Sequence, residues 1–282
     1  MVAPSKHALV VGASSGIGLG IAKELAPIVA KLTLCSRSYP AEVMETIKTI
    51  NPTVEVVHEK LDVSLLHEVR KFTTKHAATQ FDWVVMTPGI FTLNGRTETV
   101  EGLDVKMATH YYGRFMLVHD LLHGLNRPGV RVLNVLAGGI GGAVDVNDLD
   151  LKHTFSTKRC ADATTQYSDL MAQALSEHAP NASFLHASPG FVNTALADKL
   201  PWYLRVAAKG FAAIAARSSE TCAKHMTAND EIANNEITND EIIEDKRGIK
   251  EETKTFNTCS KKLSSPKTSV EFRDTTSTGD YM

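Results

Sequence analysis

The stretch Leu9-Val10-Val11-Gly12-Ala13-Ser14-Ser15-Gly16-Ile17-Gly18-Leu19-Gly20-Ile21-Ala22 decides the fold. An apolar run ends at Gly12, a Gly-x-x-x-Gly-x-Gly spacing joins Gly12, Gly16 and Gly18, and helix-forming residues follow. Strand, tight turn and helix in that order gather backbone amides around one point, where any larger side chain would obstruct. Small residues let a pyrophosphate approach those amides, and the start of the helix adds positive potential. The pattern predicts an anion cradle built from Gly12, Ser14, Ser15, Gly16, Ile17 and Gly18. A tight turn without a ligand is the plainer reading of three glycines; the strand-turn-helix setting argues against it.

Outward from this loop, β-rich runs alternate with helical periods as far as about residue 187, which is how βαβ units read. Strands are expected over His7–Gly12, Lys31–Ser36, Val54–His58, Asp82–Met86, Val130–Leu136 and Ala182–Ala187. Helices are expected near 16–30, 40–50, 64–78, 100–125 and 157–179, with Pro180 stopping the last one. Several strands are continuously apolar (Ala8–Val11, Trp83–Met86), as strands of a parallel sheet covered on both faces are. The expected fold class is α/β, a Rossmann doubly wound parallel sheet with helices on both faces. Further on, 201–217 reads as a helix and Ser218–Ala228 as another, with Ser218 as its cap. Beyond that, Ile232, Ile237 and Ile242 stand five apart, a spacing that gives one apolar face neither on a helix nor on a strand. The chain therefore divides into a nucleotide-binding domain over 1–228 and a polar, low-complexity, weakly ordered tail over 229–282.

The 282 residues are 43% hydrophobic and 22% charged, ordinary values for a globular protein, with a formal net charge of −2. That charge offers no broad basic field, so neither nucleic acid nor an anionic membrane surface is an expected partner. No apolar run approaches the roughly 18 residues of a membrane span, and the first residues lack a secretory or transit pattern. Cys35, Cys160, Cys222 and Cys259 are scattered, without the spacing of a disulfide framework or a zinc site. A cytoplasmic protein without a metal is expected.

The cofactor type is read at the end of the second strand, Leu34-Cys35-Ser36-Arg37-Ser38. A ribose 2′-hydroxyl calls for an Asp or Glu acceptor and a 2′-phosphate for a cation. No acid is present; Arg37 offers a charge-assisted fork, and Ser14 and Ser36 add hydroxyls. NADP(H) is therefore expected, against the alternative that Arg37 is an ordinary solvated arginine.

With these segments in order, the chain resembles the short-chain dehydrogenase/reductase family over about residues 7–225. That family's loop reads TGxxxGxG, with Val11 here in place of its Thr. Leu61-Asp62-Val63 matches the turn whose Asp contacts the adenine, and Thr87-Pro88-Gly89-Ile90 stands where the family has Asn-Ala-Gly-Ile. Ser188-Pro189-Gly190-Phe191-Val192-Asn193-Thr194 looks like the segment that holds the nicotinamide carboxamide. The resemblance thus implies that Asp62, Val63, Pro88, Gly89, Pro189, Gly190, Val192 and Thr194 belong to the cofactor site.

The resemblance also implies a catalytic Ser, Tyr, Lys and Asn, and the chain departs from all four. The Ser position is Ala137 and the Asn position is His110. Two flanking anchors, Asp148-Leu149 and Ala172–Ser176, put the Tyr position at Ala161 and the Lys position at Thr165. A looser register uses Phe155 and Arg159, and no Tyr-x-x-x-Lys occurs in the chain. Alanine cannot donate a proton, and a threonine hydroxyl cannot lower a neighbouring pKa electrostatically. Two substitutes are candidates. His110 has a usable intrinsic pKa, or it is a helix histidine bonding the backbone. Asp162 could orient a cationic substrate, or it complements the helix dipole. Tyr111, Tyr112 and Arg114 read as packing and surface residues, and Trp202 and Tyr203 as either an apolar lid or core.

These readings lead to two functional expectations. The first is an atypical NADPH-dependent reductase of a small, largely apolar carbonyl, enone or imine, similar to fungal secondary-metabolism members of the family. The second is an NADP(H)-binding protein without redox chemistry, either a cyclase or isomerase or an inactive binding module. The expected partners are a small-molecule substrate and, optionally, a second copy of the chain.

Overall fold

The computed structural model describes residues 5–189 and 218–227. Its strands are β1 (His7–Val11), β2 (Lys31–Ser36), β3 (Glu55–Lys60), β4 (Trp83–Met86), β5 (Arg131–Val135) and β6 (Ser183–Ala187). All pair in parallel, in the order β3-β2-β1-β4-β5-β6. The chain winds outward in opposite directions from β1 and β4, so a crevice opens between their C-terminal ends. This is the expected doubly wound sheet.

The helices are α1 (Gly16–Leu25), α2 (Ala41–Ile50), α3 (Leu66–Lys75), α4 (Val105–Met107), α5 (Gly113–Leu125), α6 (Thr157–His178) and α7 (Ser219–Thr227). Alternation along each strand sends side chains to two cores. Leu9, Val11, Val84 and Met86 pack under α3, α5 and α6. Ala8, Val10, Trp83 and Val85 pack under α1 and α2, where Ala223 of α7 also lies. Both faces are covered, which is why these strands are apolar throughout.

Several boundaries differ from expectation by a few residues, those of β3, α4 and α1 among them. β3 runs from Glu55 to Lys60 because β2 continues to Ser36 and pairs it with Lys60; partner length, not hydropathy, sets the strand's end. The helix expected over 100–125 begins only at Val105. Asp104 caps it by accepting the Lys106 and Met107 amides at 2.9 and 3.2 Å, and a π-helical turn, Ala108–Tyr112, separates α4 from α5. The first helix stops at Leu25 rather than near residue 30. The helix expected before Pro180 does end there, at His178. The Ser218 hydroxyl accepts the Thr221 amide at 3.0 Å and caps α7. The helix expected over 201–217 and the tail over 229–282 lie outside the described residues. Among the described residues no helix is long and apolar enough to cross a membrane.

Candidate functional site: the crevice at the switch point

The glycine loop is built by contact from two sides. The Gly12 amide donates to the Cys35 carbonyl at 2.9 Å, tying the loop to the end of β2. On the other side the Thr87 hydroxyl, past the end of β4, donates to the Val11 carbonyl at 3.0 Å. Gly12 holds a φ of 87°, where an L side chain is strained. A Cβ added at Gly18 would lie 2.3 Å from the Gly12 carbonyl oxygen and 2.5 Å from Thr87 Oγ1. The first turn of α1 therefore rests directly on the loop backbone. Ser15, at its N-cap, makes no side-chain capping bond, so the first amides of α1 remain available to an anion.

A cavity of about 410 Å³ lies over this loop. Every residue of the expected cradle, Gly12 and Ser14 through Gly18, lines it. Ser36 and Arg37 enter from the end of β2, Asp62 and Val63 from beyond β3, and Pro88 and Gly89 from beyond β4. Arg37 is exposed and makes no ion pair among the described residues. The Ser36 hydroxyl donates to the Ser38 carbonyl at 2.7 Å and meets His58 Nε2 at 2.9 Å. Asp62 accepts the Ser64 amide and hydroxyl at 2.9 and 2.7 Å, which shapes the turn it sits in. Pro189 is half-buried and its carbonyl faces Cys222 Sγ at 3.8 Å, outside this cavity. Gly190, Val192, Thr194, Trp202 and Tyr203 lie outside the described residues.

Sequence reasoning left Val11, Cys35, Leu61, Ser64, Thr87, Ile90, Val105 and Thr109 out of the expected lining. Val105 and Thr109 fall where a continuous helix was expected, and the Asp104 cap is the local signal that could have exposed the break.

Of the proposed acids, His110 accepts the Ile90 amide at 3.1 Å through Nε2. Its pKa is pushed down to about 3, first by burial and then by the charge of Arg114. A ring neutral at pH 7 and already committed to a backbone amide is poorly suited to deliver a proton. Asp162 bonds Lys158 at 2.5 Å, one helical turn away, and its carbonyl accepts the Gly142 amide at 3.3 Å. Ala161 is exposed, Thr165 is buried at 4% exposure, and Ala137 is half-buried just past β5. Tyr167 is in the core, donating to the Leu149 carbonyl at 3.1 Å. Tyr111 and Tyr112 are buried as well, and the Tyr112 hydroxyl bonds Asp150 at 2.5 Å.

Arg114 is not the surface residue it was read as. It is 1% exposed and reaches carbonyl oxygens at the C-terminal ends of β4 and β5. Its guanidinium donates to Val135 at 2.9 Å, Met86 at 3.4 Å and Thr109 at 3.3 Å, and also to the Pro88 carbonyl and Asn134 Oδ1. Burial lowers its pKa to about 9, which leaves it charged at neutral pH.

The short chain dehydrogenase family matches residues 6–139. An oxidoreductase of Emericella nidulans is 32% identical over 202 residues, covering 68% of this chain and 60% of the relative. An NmrA-like family domain-containing oxidoreductase of an Aspergillus species is 32% identical over 200 residues, 66% of this chain and 60% of its own length. The chain thus spans about 60% of the length of these relatives. Among solved structures, a short-chain dehydrogenase from Sphingobium yanoikuyae in complex with NADPH superposes with a TM-score of 0.64 at 13% identity, over 87% of this chain and 95% of its own. An alcohol dehydrogenase from Thermococcus sibiricus complexed with 5-hydroxy-NADP gives 0.58 at 21% identity, over 79% and 89%.

Proposed function

Since the chain belongs to the short-chain dehydrogenase family, we propose that it binds NADP(H) and acts as an atypical reductase of a small, largely apolar carbonyl, enone or imine. The observation that carries the cofactor reading is Arg37. It stands exposed at the end of β2, lines the cavity beside Ser14 and Ser36, and has no acid next to it. The residues present fit the group. The loop admits only glycine at positions 12 and 18, and α1 begins beside the cavity without a side-chain cap, which leaves its first amides free of side-chain partners. Gly12 through Gly18 would hold the pyrophosphate, Arg37, Ser36 and Ser14 the 2′-phosphate, and Asp62 and Val63 the adenine. Pro88, Gly89, Pro189, Gly190, Val192 and Thr194 would complete the site, the last four by resemblance to the family.

Bound NADPH supplies a hydride. This chain's own residues would orient acceptor and cofactor, a contribution that depends on proximity more than on proton transfer. No phenol stands at the Tyr position and no cation at the Lys position, so the proton would come from water. Activated acceptors are therefore favoured over simple ketones. The same absence favours a second reading, an NADP(H)-binding protein without redox turnover. A role in secondary metabolism rests on the likeness to fungal oxidoreductases.

The test follows NADPH absorbance with a conjugated enone and a cyclic imine, alongside cofactor titration. Turnover supports the reductase; tight binding without turnover supports the second reading. Arg37→Asp is expected to weaken NADPH binding at least roughly tenfold while leaving NADH similar or tighter. Equal loss for both cofactors would overturn the 2′-phosphate assignment.

A further inference from the structure

Arg114 is a buried cation whose partners are all neutral. Its guanidinium is ringed by the carbonyls of Met86, Pro88, Thr109 and Val135 and by the side-chain amide of Asn134. No carboxylate pairs with it among the described residues. The other charges nearby do not offset it. Lys106 pairs with Asp104 at 3.4 Å, both nearly fully buried, and so those two cancel. His110 is neutral at pH 7. One unit of positive charge is left uncompensated at the C-terminal ends of β4 and β5.

Its position follows from the crevice. Arg37 and Asp62 occupy the β2–β3 side and the α1 N-terminus the centre. A dinucleotide spanning the switch point must extend its other half over the ends of β4 and β5. Those are the strand ends whose carbonyls Arg114 holds, and Pro88, one of its acceptors, lines the cavity itself. Burying a charge without a counter-ion is costly unless dipoles surround it, and here they do.

Building on the NADP(H) reading above, we propose that Arg114 is a positioning and selectivity residue whose uncompensated charge makes the site hold NADPH in preference to NADP⁺. The oxidised nicotinamide ring carries a positive charge and the reduced ring carries none. A fixed cation beneath that half of the crevice therefore penalises only the oxidised form. Like charges sharing one site at an effective dielectric of about 20 repel enough to shift an equilibrium by roughly tenfold. The preference biases the site toward accepting NADPH and releasing NADP⁺, the direction of reduction. It also puts a cation near the reacting end from α5, where the family's own position on α6 holds Thr165.

Asn134 provides the decisive variant. Its Oδ1 accepts from Arg114, while its Nδ2 is buried with no partner among the described residues. Asn134→Asp keeps the shape, removes the orphaned donor and sets a carboxylate against the guanidinium. It should fold at least as well as the wild type. The experiment measures dissociation constants of NADPH and NADP⁺ for the full chain by calorimetry, with the thermal midpoint recorded for each variant. The wild type should bind NADPH at least roughly tenfold tighter than NADP⁺. Asn134→Asp should shrink that ratio roughly tenfold, mainly through tighter NADP⁺. Arg114→Lys should keep the ratio, and Arg114→Met, where folded, should lose it. An Arg114 that merely braces the strands would change both affinities together, and an unchanged ratio in Asn134→Asp overturns the proposal while leaving the cofactor reading intact. A wild type that binds neither form overturns the cofactor reading and this proposal with it.

Discussion

Replacing Gly18 with alanine adds one methyl group at the closest approach between α1 and the glycine loop. Its Cβ would meet the Gly12 carbonyl oxygen at 2.3 Å and Thr87 Oγ1 at 2.5 Å. The helix start must then move by roughly 0.7 Å merely to reach a tolerable carbon–oxygen contact, since the opposing atom is backbone and cannot rotate away. Overpacking of this kind costs about 1–3 kcal/mol. In a domain of this size each kcal/mol lowers the midpoint by about 2–4 °C, so a fall of about 2–12 °C is expected in a thermal scan. The functional loss should exceed the structural one. Displacing the first turn weakens the amide bonds to a pyrophosphate, and losing one or two charge-assisted bonds weakens NADPH binding by roughly 10- to 100-fold. Thr87→Ala in the same chain should rescue little, because the carbonyl contact remains. Gly124→Ala is the control: its added Cβ meets only the Thr79 carbonyl at 3.5 Å, inside α5, and stability should hold or rise slightly. A Gly18→Ala protein with wild-type midpoint and affinity, or one fully rescued by Thr87→Ala, would refute this account of the loop.

Three further expectations follow from other parts of the chain. The triple variant Ala137→Ser, Ala161→Tyr, Thr165→Lys should gain about 10²- to 10⁴-fold in NADPH-dependent reduction of an activated ketone, each single change gaining little; a folded, cofactor-binding triple that stays inert would refute the register over α6. His110 stays neutral in the folded chain down to about pH 3, whereas the unfolded chain protonates it below its ordinary value of 6.5. Stability should therefore decline as pH falls from 6.5 toward 3, and His110→Gln, which keeps an acceptor for Ile90, should flatten that slope in urea titrations. Deleting residues 229–282 should move the thermal midpoint by no more than a few degrees, since the five-residue spacing of Ile232, Ile237 and Ile242 predicts no single apolar face; loss of folding would show that the segment supplies structure to the domain.

How much was legible in the sequence depends on how local each cause is. The glycine loop and the two-faced apolar strands express constraints between near neighbours, and they led directly to the sheet and to the residues lining the crevice. The place of Arg37 in the lining was legible for the same reason, since it directly follows the short apolar run of β2. The end of β3 was not, because it is set by pairing with Ser36 on another strand. Asp104 interrupts a helix that periodicity alone would carry through, by offering its carboxylate to two amides. Arg114 is the clearest case of what only the tertiary structure decided. In His110-Tyr111-Tyr112-Gly113-Arg114-Phe115 it looks like a solvated charge, because isolated charges are expelled from cores. It is buried because Met86, Pro88, Asn134 and Val135, distant in sequence, bring their oxygens together at the ends of two adjacent strands. The sequence by itself determined the doubly wound architecture and the residues around its glycine loop. Where an uncompensated charge could be stored was decided only when separate strands brought enough dipoles to one place to solvate it.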